Sequence, residues 1–140
     1  MTTAEPATVH GTVPFLPPTR RTLERRIALT LLTGVGSFQL ALVVGAPWGA
    51  AAWAGQAPGV LPTSLRVASA VNVLVYAGLV GLVTTDRLSP NARQRLLTGA
   101  SLLMVLGTLG NLATPSPVER LWAPVAATLV VVLWRLRGSR

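Results

Sequence analysis

Few side chains in this 140-residue chain could do chemistry, and their positions limit what that chemistry is. The carboxylates are Glu5, Glu24, Asp86 and Glu119, and the one imidazole is His10. There is no cysteine and no lysine, so the positive charge comes from twelve arginines. Without cysteine there is no thiolate nucleophile, disulfide exchange or thiolate metal site. One histidine in a polar segment cannot build a histidine-rich metal centre. No nucleophile, metal cluster or paired carboxylate can be assembled, so neither an enzyme nor a cofactor is expected.

Several polar residues lie within or beside apolar sequence. Gln39, Asn72 and Asn111 are uncharged amides in otherwise apolar surroundings. Such side chains can hydrogen-bond between neighbouring helices, at about 0.6 kcal/mol each, or line a path for a polar solute. Thr30, Thr33, Ser37, Ser69, Ser101 and Thr108 are open to the first use. Arg66 and Glu119 each fall in the first turn of an expected helix, at matching depth, so they are expected to pair. The alternatives are snorkelling for Arg66 and helix capping for Glu119. Trp48 and Trp53 suit an interfacial aromatic belt, with ligand binding as the competing reading.

The elements that carry these residues are four long apolar stretches, at 27–46, 67–83, 96–113 and 121–134. Apolar residues make up 51% of the chain and charged residues 11%, where soluble domains carry about 25% charge. Roughly 20 apolar residues in a helix cross the hydrocarbon core. The stretches lack the alternation of barrel strands, and in lipid only helices or closed barrels satisfy their backbone. The fold class predicted is therefore an all-α membrane protein with four transmembrane helices, at about 22–46, 64–84, 90–113 and 117–137. Residues 1–19, with four prolines among small polar residues, read as a disordered cytoplasmic tail, and 20–140 as a single domain. The first apolar run is longer than a signal-peptide core, which favours an uncleaved first helix.

Local signals set the helix ends. Ser89-Pro90 is a cap and first-turn pair, and Thr63 or Ser64 can cap the second helix. Ser116-Pro117-Val118-Glu119 reads as a capping box with proline at the first helical position. Pro124, past that first turn, should bend the fourth helix. In the first loop, Pro47 can start a short interfacial helix through Trp53, and Pro58 and Pro62 restrict the return.

The resemblance lies in two segments. The first runs Gly45-Ala46-Pro47-Trp48-Gly49, then Trp53, Gly55, Gly59, Leu61-Pro62, Leu65-Arg66 and Ser69. The second comprises Asn111, Ser116, Glu119-Arg120 and Trp122-Ala123-Pro124. Together they resemble small four-helix membrane proteins of Gram-positive bacteria that have no assigned function. The resemblance covers about a third of the chain and implies four helices, with the first loop and the start of the fourth helix as a shared surface. Ala54 departs from it, standing where glycine is expected, which implies a less tight turn after Trp53.

These readings lead to a polytopic protein of a bacterial plasma membrane, acting as a structural or partner-binding subunit. A small transporter or channel component for a polar solute is the alternative. The expected partners are the lipid bilayer and a second copy or another membrane protein. Nucleic acid is not expected, because the arginines flank the apolar runs instead of forming a stripe.

Topology follows from the same arginines. Ten lie at the termini and in the second loop, against Arg66 and Arg120 on the other side. The positive-inside rule then places both termini in the cytoplasm. Single cysteines at Ala57 and Ala92 check this. An impermeant thiol reagent should label Ala57→Cys in intact cells and spare Ala92→Cys, and the reverse pattern would invert the topology.

Overall fold

In a computed structural model, residues 19–138 are described. The expected tail at 1–19 lies outside the described residues except for Thr19. Among the described residues there are four helices long and apolar enough to cross a membrane, and no strand. They are α1 (Arg20–Val43), α2 (Thr63–Thr84), α3 (Pro90–Ala113) and α4 (Trp122–Gly138).

Each end has a local cause. The Thr19 hydroxyl accepts from the Thr22 amide at 3.3 Å and starts α1. At its other end, Gly45 adopts φ +100°, its amide bonds the Leu42 carbonyl and the Ala46 amide bonds the Ala41 carbonyl. That is a Schellman closure, which stops α1 three residues short of the expected 46. Pro62 stands at the start of α2, where no side chain caps, so neither Thr63 nor Ser64 takes that role. Ser89 caps α3 through the Ala92 amide at 3.3 Å, with Pro90 as the first helical residue.

The expected fourth helix from Pro117 begins instead as a 3-10 turn, Glu119–Leu121, and becomes α-helical at Trp122. Pro124 therefore sits in the first α-helical turn, where its missing N–H costs no bond. Within the helices, several hydroxyls bond back to their own backbone and not across the bundle. Thr98, Ser101, Thr108 and Thr128 each donate to the carbonyl four residues earlier, at 2.8 Å. Ser69 instead accepts from Trp53 of the first loop.

The helices pack unequally. α1 lies along α2, and α3 along α4. α1 also meets α4, whereas α2 and α3 scarcely touch. At the end where α1 starts and α4 finishes the bundle is closed by Ala28, Leu32, Leu79, Val83, Leu97, Leu133 and Leu136, all buried. Between spanning helices such contacts gain through close van der Waals packing, since the lipid they replace is as apolar as they are. Glu24 of α1 and Arg135 of α4 add an ion pair at 3.6 Å.

At the other end the first loop folds over the bundle as two 3-10 turns, Gly49–Ala51 and Trp53–Gly55. A separate cluster of Leu42, Ala52 and Leu61 anchors it. Gly49 is obligatory there, because a Cβ would collide with the Ala57 carbonyl and lie 2.8 Å from the Gly59 carbonyl. Trp53 and Ala54 both hold positive φ, 54° and 60°. The turn after Trp53 is thus tight despite alanine at the position where the resembled proteins imply glycine.

That strain gives a prediction. An L-residue in this left-handed region costs roughly 1–2 kcal/mol, offset by about 0.5–1 kcal/mol of extra glycine entropy. Ala54→Gly should raise the thermal unfolding midpoint in detergent, by about 0.5–1 kcal/mol of stability. A lowered midpoint would contradict the backbone described here.

Candidate functional site

The loose contact between α2 and α3, under the folded first loop, leaves a cleft of about 600 Å³. That volume is in the range of small-molecule sites. Its roof is the 3-10 turn at Trp53 and its floor is set by Tyr76, Met104 and Leu129. Val75, Leu103 and Leu106 form an exposed apolar rim, so the cleft opens sideways between α2 and α3.

The roof is held by hydrogen bonds from three elements. Trp53 Nε1 donates to Ser69 Oγ of α2 at 3.0 Å. Trp122 Nε1 donates to the Ala51 carbonyl at 2.9 Å, and Ser116 Oγ donates to the Ala50 carbonyl at 2.6 Å. Phe38 of α1 lies against Trp122, with ring centroids 4.7 Å apart, and stacks on Trp48 at 6.2 Å. Trp48 itself is half exposed and outside the cleft lining.

The structure gathers Gln39, Asn72 and Asn111 from three different helices into the cleft wall. Asn72 lies three residues after Ser69, hence about 4.5 Å deeper than the Trp53 bond. Among the described residues none of the three amides has a hydrogen-bond partner, and Gln39 Oε1 is buried as well. An unpartnered buried amide costs about 1–3 kcal/mol. These side chains are suited to a polar group arriving from outside the chain.

Arg66 and Glu119 do not come together. Arg66 donates from Nε and Nη2 to the Val43 carbonyl, at 2.8 and 2.6 Å. The Schellman closure satisfies the carbonyls before Val43 and leaves that one orphaned, so α1 offers Arg66 an acceptor that is invisible in the side-chain pattern. Glu119 Oε2 instead accepts from Thr114 Oγ1 at 2.6 Å. Half of the expected capping box exists, since Ser116 Oγ accepts from the Glu119 amide at 3.3 Å. In the other half, Thr114 Oγ1 takes the Ser116 amide at 3.2 Å and relays to the carboxylate.

Phe38, Tyr76 and Thr114 also line the site and were not singled out as sequence candidates, and Trp122, which lines it too, was marked only through the resemblance. One signal was available, because Glu119 and Trp122 are three apart at a helix start and so share a face. Comparison of the chain with protein families, with characterised proteins and with solved structures finds no match.

Proposed function

We propose that the protein is a non-enzymatic subunit of a bacterial plasma membrane that binds an amphiphilic molecule in the capped cleft. The observation that carries this reading is the combination of a mostly apolar wall with three amides lacking protein partners. An apolar chain entering between α2 and α3 would fill the wall, and its polar end would meet Gln39, Asn72 and Asn111. With the topology expected from the arginines, the cleft belongs to the outer half of the bilayer.

The alternative of a path through the membrane is less well supported. Such a path would have to continue past Leu32, Leu79, Leu129 and Leu133, which are buried in one core. The cleft is blind in this conformation, which suits holding a molecule better than conducting one. Resemblance to small membrane proteins of Gram-positive bacteria agrees with the setting and supplies no activity.

Tryptophan fluorescence tests the reading. Trp53 and Trp122 line the cleft, while Trp48 and Trp134 do not. In a Trp48→Phe, Trp134→Phe chain in nanodiscs, a neutral bromoalkyl alcohol should quench with a saturable component. Gly107→Leu should remove that component, since Gly107 lines the cleft and a Cβ there meets nothing within 4 Å. Quenching that stays linear, as for simple partition into lipid, would overturn the proposal.

A further inference from the structure

We infer that the cleft selects an amphiphile whose polar end is a singly charged organic ammonium; this rests on the binding role proposed above and adds its charge. The chain carries a net charge of +8, yet no arginine lines the cleft, and the one formally charged lining residue is Glu119. The lining thus carries one formal negative charge in a chain whose net charge is positive.

Glu119 is available for this role. The ion pair formed among the described residues joins Glu24 to Arg135, at the far end of the bundle. Glu119 meets a hydroxyl, not a cation, and that hydroxyl fixes its position. Thr114 Oγ1 donates to Oε2 at 2.6 Å, and the Thr114 carbonyl is itself held by Arg120 Nε at 3.0 Å. Oε1 has no protein partner among the described residues. A carboxylate beside apolar walls attracts a cation more strongly than one in open water.

Aromatic rings supply the second contribution. Phe38, Trp53, Tyr76 and Trp122 line the same cleft. Both indole N–H groups are already committed, Trp53 to Ser69 and Trp122 to Ala51. The rings therefore offer π surface rather than donors, and quaternary or alkylated ammonium groups bind such surfaces. An anionic amphiphile would meet Glu119 with no lining arginine to offset the repulsion. The same argument disfavours a phospholipid headgroup, whose ammonium comes attached to a phosphate. The occupant is thus a free amphiphilic cation with one charge and an apolar chain.

The test uses the two-tryptophan chain in zwitterionic nanodiscs and three bromoalkyl quenchers of one chain length, ending in trimethylammonium, alcohol or sulfate. The ammonium should saturate at about ten-fold lower concentration than the alcohol, and the sulfate should show no saturable quenching. Glu119→Gln keeps the acceptor for Thr114 and should shrink the ammonium-over-alcohol preference from about ten-fold to within about three-fold, read as the ratio of the two in the same variant. Glu119→Asp should retain the preference. Equal binding of alcohol and ammonium by the unsubstituted cleft, or a preference that survives Glu119→Gln, would overturn the charge selection and leave the binding role standing. No saturable quenching by any of the three would overturn the binding role itself.

Discussion

A carbonyl at the end of a helix needs a donor, and in an apolar medium water is not there to supply one. Each orphaned group in lipid costs several kcal/mol, so the ends of spanning helices dictate what must be built around them. Here four arginines meet that need, at the ends of three helices. Arg66 takes the Val43 carbonyl at the end of α1. Arg25 takes Thr84, and Arg93 takes Leu82 and Thr85, at the end of α2. Arg120 takes Thr114 after α3. A cation at a helix C-terminus also meets the negative end of the helix dipole.

The position of the first loop follows from the Arg66 bond. That bond ties the end of α1 to the first turn of α2, so the chain between them must turn back over the bundle. The turn is closed by the Gly49 amide on the Gly59 carbonyl at 3.0 Å and pinned by Trp53, Trp122 and Ser116. The result is a roof above helices that are tightly packed at one end and parted at the other. Because the arginines near this end are committed to carbonyls, Arg66 and Arg120 leave the cleft lining to Glu119, the aromatic rings and the amides.

Much of the framework could be read from the chain. Hydropathy marks four spans because lipid imposes one length and one composition on every helix that crosses it. Ser89-Pro90 marks the start of α3 because cap and fixed φ act locally. What could not be read depended on backbone groups and on tertiary approach. The partner of Arg66 is a carbonyl, which no side-chain pattern reveals, so the expected Glu119 pair gave way to a capping bond. The early end of α1 turned on Gly45 entering positive φ, and the fourth helix began with a 3-10 turn that hydropathy does not distinguish. Gln39, Asn72 and Asn111 could each be named as unusual. Their convergence on one cleft required the parting of α2 from α3, which is a property of packing and not of any segment.

The account turns on Arg66 holding the roof through the end of α1, and amide hydrogen exchange measures this directly. In Arg66→Gln the amides of the first loop, Gly49 foremost, should exchange about ten-fold faster, as expected for loss of roughly 1.4 kcal/mol. Exchange in the middle of α3 should stay unchanged. Exchange of the first loop that is the same with and without Arg66 would contradict the account, since the roof would then be held by something other than that bond.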